Sequence, residues 1–356
     1  MSNFDPMMSF LLLPISFVYH IILTIRHKLY DWHLLKSKKF DQPVICVGNL
    51  ALGGTGKTPH VEYLIDMLSE QYSVCVVSRG YGRRTKGFQL ANTTCSAETV
   101  GDEPVLYISK HRDVMVAVDE NRNRAIELMD TMDRPPELYL LDDAFQHRKT
   151  KAGFNILLTV YDKLYCDDFL IPTGTLRDVR NAAKRADIIM VSKAPVDLKE
   201  EQKAAIIKKL KPLSHQKVFF SSVKYEPLKA VNTGIDDLGF EDADAALLFC
   251  GIANPKPLID QVKTQFKQVE TLTFRDHHPY TENDVKDILD KAGRLSGNKK
   301  IIVTTEKDYA RLINSPYLCQ FDSVPLYVTP VRVRIHEEEK FNEEILSYVR
   351  KNAHHG

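Results

Sequence analysis

Val44-Ile45-Cys46-Val47-Gly48-Asn49-Leu50-Ala51-Leu52-Gly53-Gly54-Thr55-Gly56-Lys57-Thr58-Pro59 runs from an apolar β-branched segment into a glycine-rich turn and on to Lys-Thr. Next comes an amphipathic helix, Val61-Glu62-Tyr63-Leu64-Ile65-Asp66-Met67-Leu68. That order of parts predicts a phosphate-binding loop. The glycines Gly53, Gly54 and Gly56, with Thr55 between them, let successive backbone N–H groups turn inward on an anion, and the helix N-terminus adds its positive dipole end. Lys57 reaches the β- and γ-phosphates of a nucleotide, and the Thr58 hydroxyl ligates a magnesium ion. Ala51 stands where the pattern G-x-x-x-x-G-K-[ST] begins with glycine, so the loop is a variant.

On either side of this loop, short continuous apolar runs alternate with helical stretches between residues 40 and 195. The runs are Val44–Val47, Ser73–Ser78, Val114–Val118, Leu138–Leu141, Asn155–Thr159 and Ile188–Val191. Unbroken hydrophobicity is expected of parallel strands buried on both faces, which predicts an α/β fold with a doubly wound, mainly parallel sheet of the phosphate-loop type. A charged helix over Lys199–Lys211 and a strand over Lys217–Val223 lead into a second series, Ala245–Cys250, Val269–Phe274, Ile301–Thr304 and Leu326–Thr329. These predict a smaller C-terminal α/β domain. The expected division is residues 1–30 as a membrane-associated helix, 31–215 as the nucleotide-binding core and 216–350 as the second domain.

The 356 residues, 44% apolar and 27% charged, describe a well-cored globular chain, and a net charge of +1 gives no support to a nucleic-acid partner. Six cysteines without a C-x-x-C pair argue against a zinc ribbon or a disulfide framework. Met7 to Ile25 is mainly apolar and is followed by Arg26, His27, Lys28, Lys36, Lys38 and Lys39. A helix of that length rises about 28 Å, barely the hydrocarbon thickness. Pro14 and His20 count against a clean span, so a spanning helix, an interfacial anchor and a buried helix all stay open. The cations after the segment predict that the domain C-terminal to it lies on the cytoplasmic side.

Other segments carry chemistry. Leu138–Leu141 ends in Asp142 and Asp143, carboxylates at a strand end where open sheets meet their ligands and where magnesium is held in phosphate-loop enzymes. Ser78-Arg79-Gly80-Tyr81-Gly82-Arg83 suits close backbone approach and phosphate recognition, or a plain basic loop. Gly101-Asp102-Glu103-Pro104 reads as an acidic turn and as a helix start capped by Asp102. Asp168 to Asp178 is a glycine-containing loop whose Arg177 suits a clamp on a transferring phosphoryl group. Arg275-Asp276-His277-His278 puts histidines beside an acid, fit to orient or share a proton.

Taken in order, VGNLALGGTGKTP, SRGYGR, GDEP, LLDDAFQHR, LIPTGTLRD, GIANP, RDHH and TTEKD resemble the tetraacyldisaccharide 4′-kinase family of lipid A biosynthesis. The resemblance implies transfer of the γ-phosphate of ATP, with Mg2+, to the 4′-hydroxyl of a tetraacyldisaccharide 1-phosphate at the cytoplasmic face of the inner membrane. It implies that Lys57 and Thr58 serve the nucleotide and magnesium, and that Asp142 and Asp143 lie on the metal side. Asp102 resembles a general base assisted by His277, with His278 a rival. Arg79, Tyr81 and Arg177 resemble residues around the head group and phosphates, and a metal role for Asp178 stays open. With Asp102 in the core and His277 in the second domain, closure would assemble the base. The competing expectation is a regulatory switch ATPase of the deviant phosphate-loop type at the membrane. Its loop carries a second lysine where Leu52 stands. A GTPase is unsupported, because Val191-Ser192-Lys193-Ala194-Pro195 lacks the asparagine and aspartate of N-K-x-D.

Overall fold

The computed structural model describes residues 6–232 and 240–353, with side chains from residue 12 onward. Each apolar run of the sequence is a strand, displaced by two residues at most at either end. The runs differ from ordinary amphipathic strands in being closed to water on both faces: Val44–Asn49, Val74–Ser78, Leu138–Asp142 and Ile188–Ser192 are buried throughout. Three short or edge strands lack that signal and were not expected, at Gln89–Leu90, Lys229–Ala230 and Val331–Ile335.

Contacts divide the chain into two compact units that do not follow a single cut near residue 215. The first comprises residues 1–78, 121–223 and 333–356; the second comprises 79–120 and 224–332. Seven strands of the first unit lie in the order Val331–Ile335, Lys217–Tyr225, Ile188–Ser192, Phe154–Val160, Val44–Asn49, Leu138–Asp142, Val74–Ser78. The strand leading to the glycine loop is central, parallel to both neighbours, with Val47 opposite Asp142 on one side and Ile156 on the other. That register brings the glycine loop and the Asp142–Asp143 turn to the same carboxyl edge of the sheet.

In the second unit, Gln268–Thr273, Ala245–Cys250, Lys300–Thr305 and Leu326–Thr329 form a parallel sheet, closed at one edge by antiparallel Lys229–Ala230. Its core is built on both faces, around Phe249, Ile302 and Phe321 on one and Leu248, Val262 and Val303 on the other. The helices Asp102–Lys110 and Glu306–Leu312 also pack together within this unit.

The N-terminal helix runs from Pro6 to Asp31. Its inner face is tied down by polar contacts at helical spacing: Ser16 Oγ donates to Leu170 O (3.2 Å), Tyr19 OH to Arg177 O (3.1 Å) and Arg26 to Gln146 O (2.9 Å). His27 Nδ1 faces an Arg148 Nη1 donor at 3.0 Å, which leaves Nε2–H to donate to the buried Asp178 at 2.6 Å. Ile15, Phe17, Val18, Ile22 and Ile25 are exposed. Among the described residues, no helix is long and apolar enough to cross a membrane.

Candidate active site

Local backbone chemistry sets the shape of the glycine loop. Gly56 has φ 87° and stands at the cap position of the Lys57–Ser69 helix, a left-handed conformation that a side chain would strain. Buried Asn49, the last residue of the central strand, organises the loop. Its Nδ2 donates to Ala51 O (2.8 Å) and Thr55 Oγ1 (2.8 Å), and its Oδ1 accepts from Lys57 Nζ (3.4 Å) and Arg177 Nη2 (2.5 Å). The Asp168–Asp178 loop is fastened alongside by Leu52 N to Thr175 O and Arg177 N to Leu50 O, both 2.7 Å. Asn49 was not singled out from the sequence; the available signal was an amide ending a buried apolar strand directly before the loop.

Lys57, Asp143 and Arg177 meet here. Arg177 holds the Asp143 carboxylate with both terminal nitrogens, one at 2.9 Å, and Lys57 Nζ lies 3.7 Å from the same group. Burial alone would raise the Asp143 pKa, but Lys57 and Arg177 outweigh it and hold the carboxyl below its ordinary value. Two cations and one carboxylate at the loop leave a net positive place for an anion. Asp142 is buried at the end of its strand. Asp178 faces His27, the Val179 N–H (2.8 Å) and Arg185 (3.5 Å), so it anchors the N-terminal helix.

His60, one turn into the loop helix, is buried and held at both ring nitrogens. Because a carbonyl only accepts, Nδ1–H donates to Gly56 O (2.7 Å), which leaves Nε2 to accept the Ser221 hydroxyl (2.9 Å). Burial pushes its pKa from 6.5 down to about 4. The folded value lies below the unfolded one, so this stability is fully present above about pH 6.5 and is lost as pH falls towards 4. Between about pH 7 and 5 the expected loss is about 2 kcal/mol. Urea midpoints at the two pH values should show a smaller drop in His60→Gln than in the parent; equal drops would reject this linkage.

The second unit brings Asp102 and His277 together. Gly101, not Asp102, stands at the cap position of the Asp102–Lys110 helix, and Asp102 Oδ1 accepts the Glu103 N–H at 3.0 Å. Its Oδ2 faces His277 Nδ1 (2.9 Å), Arg311 Nε (3.0 Å) and Nη2 (2.9 Å), with Lys307 Nζ at 3.9 Å. Lys307 also reaches His277 Nε2 (3.2 Å) and Glu103 (3.0 Å). An ammonium only donates, so it engages the Nε2 lone pair and leaves Nδ1–H pointing at Asp102. Burial would raise the Asp102 pKa; the His277 hydrogen bond, Lys307 and Arg311 override it and hold the carboxyl far below the usual range.

The expected assembly of Asp102 and His277 by closure of separate domains is corrected: both belong to the second unit and are hydrogen-bonded within it. The two histidines are also distinguished. His277, at φ 57°, turns to Asp102, whereas His278 stacks on Phe274 and bonds Asp284 at 3.0 Å. Tyr81 is exposed and sets its ring edge against His277, centroids 4.9 Å apart, while Arg79 is exposed beside it. Gly80 is required there: a Cβ would lie 2.6 Å from Val100 O. Lys307 and Arg311 were not assigned to this cluster from sequence, although the i, i+4 spacing of the TTEKD lysine and the arginine after it puts two cations on one helix face.

The family model for tetraacyldisaccharide-1-P 4′-kinase matches residues 8–350. A tetraacyldisaccharide 4′-kinase of Bacteroides thetaiotaomicron is 43% identical over 355 residues, covering 96% of this chain and 93% of the relative. One of Flavobacterium johnsoniae is 44% identical over 344 residues, covering 96% and 97%. The crystal structure of LpxK from Aquifex aeolicus in complex with ATP superposes with a TM-score of 0.72 at 27% identity, covering 96% of this chain and 99% of that one. The chain therefore belongs to the tetraacyldisaccharide-1-P 4′-kinase family.

Proposed function

We propose that the protein is the ATP-dependent kinase that phosphorylates the 4′-hydroxyl of a tetraacyldisaccharide 1-phosphate, a precursor of lipid A. Family membership over nearly the whole chain supports the activity. The observation that carries the chemistry is the Lys57–Asn49–Asp143–Arg177 cluster beside the glycine loop, since phosphoryl transfer needs positioning and charge neutralisation more than covalent chemistry. A switch ATPase is not favoured, because the relatives matched end to end carry a metabolic kinase's name.

Gly53 to Thr58 would cradle the triphosphate, with Lys57 and Arg177 on the transferring group. Thr58 and Asp142 would supply oxygens to magnesium, with Asp143, held by these two cations, beside them. Among the described residues, no three histidine, cysteine, aspartate or glutamate side chains gather as a metal cage. Magnesium suits such a site, because it takes one or two protein oxygens and fills its sphere with phosphates and water. When bound, it would neutralise charge on the β- and γ-phosphates.

The Asp102–His277 pair would serve the acceptor hydroxyl. A carboxylate held so low is a weak proton acceptor by itself, which supports Asp102 as the group that orients His277. Arg79 and Tyr81 would meet the sugar phosphate. The exposed apolar side chains of the Pro6–Asp31 helix, followed by cations, support a peripheral seat at the cytoplasmic face of the inner membrane. The deciding assay supplies γ-labelled ATP, magnesium and tetraacyldisaccharide 1-phosphate in detergent. Labelled lipid is expected; ATP binding without any labelled lipid would overturn the proposal.

A further inference from the structure

Beside the N-terminal helix, within the first unit, lies a groove of about 830 Å³. One wall is the helix itself and the other is the segment from Phe169 to Arg185. Polarity changes along its length. Leu13 and Phe17 line one end with Phe169 and Leu170, where Arg180 stacks on the Phe169 ring at 5.0 Å and bonds Asp168 O, whereas Lys28 and Arg148 accompany Lys184 and Arg185 at the other. From Leu13 to Lys28 is about 22 Å along the helix axis. Among the described residues, Asp31 is the one acidic residue lining the groove; it is bonded to Arg148 at 2.7 Å, and Arg185 faces the buried Asp178 at 3.5 Å. Lys28 and Lys184 are exposed and make no ion pair among the described residues.

We propose that this groove binds one anionic phospholipid of the surrounding bilayer, acyl chain against Leu13 and Phe17 and phosphate against Lys28, Arg148 and Lys184. An apolar trough running into a cationic end matches an amphiphile with an anionic head and matches neither a free phosphometabolite nor a zwitterionic lipid. The occupant is at hand, because Ile15, Val18, Ile22 and Ile25 form the neighbouring exposed stripe of the same helix, the face that an interfacial helix buries. The proposal rests on the peripheral membrane seat of this helix, but its test needs no membrane.

Trp32, one helical turn beyond Lys28 and lying 5.9 Å from its ammonium, is the chain's single tryptophan and reports on the cationic end. The full chain is titrated with dihexanoylphosphatidylglycerol below its micelle concentration, with dihexanoylphosphatidylcholine and inorganic phosphate as parallel arms. A saturable change in Trp32 emission with the anionic lipid alone is expected. Lys184→Glu should weaken it by about tenfold. Leu13→Ser is the second variant, and unchanged ATP binding serves as the control that each is folded. An equal response to the zwitterionic lipid or to phosphate, no saturable response, or unchanged affinity in both variants would overturn the proposal.

Discussion

Replacing Lys57 with alanine is expected to lower turnover on the order of 10³-fold while the protein stays folded. The lysine opens the helix after the glycine loop, and its ammonium is aimed by Asn49 at 3.4 Å and Asp143 at 3.7 Å. In the proposed role it would supply positive charge where the γ-phosphate gathers negative charge, a term worth far more in a partly desolvated site than in water. Folding should survive, because Asp143 keeps both bonds to Arg177. Lys57→Arg is expected to fail as well: a planar fork would compete with Arg177 for one carboxylate, and arginine does not replace a point charge. Single-turnover transfer from labelled ATP measures the effect, with thermal midpoints as the folding control. Turnover within tenfold of the parent would remove Lys57 from the chemistry.

The second large effect is at His277. His277→Gln is expected to lower turnover by about 10² to 10⁴-fold, with the ATP dissociation constant nearly unchanged. Asp102→Asn should lower it similarly, but for a mixed reason. Asp102 also pairs with Arg311 and Lys307, so losing its charge weakens a buried network in which Asp308 and Glu103 are then their remaining partners. The glutamine variant is therefore the cleaner test, since His277 carries no comparable buried charge pair. If His277→Gln turns over normally while Asp102→Asn does not, Asp102 is an anchor of the Arg311 cluster and the acceptor hydroxyl needs no base from this pair.

How much of this was legible in the sequence depends on the range of each interaction. The strands were visible because burial on both faces writes itself into consecutive residues, and the glycine loop because its turn, lysine and threonine are adjacent. Asn49 was hidden, since its value lies in Arg177, 128 positions away. The same holds for Arg311, which meets Asp102 across 209 positions. The grouping of residues 79–120 with 224–332 leaves no local trace either, because strand and helix alternate through residues 78 and 120 without a change in composition. Adjacent histidines could not be told apart by type; only the positive φ at His277 sends its ring towards Asp102 while His278 turns to Asp284.

The central strand is also held by Tyr348, whose hydroxyl accepts the Val44 N–H at 3.1 Å and donates to Val44 O at 3.2 Å. During synthesis, Val44 leaves the ribosome some three hundred residues before its partner. The first unit therefore cannot finish folding as it emerges, and it must wait, incomplete, while all of the other unit is made. Loop closure on that scale makes for slow folding and a long exposure of apolar strand edges. The nascent chain is thus a natural client for chaperones, and a fragment ending near residue 215 should aggregate rather than bind nucleotide.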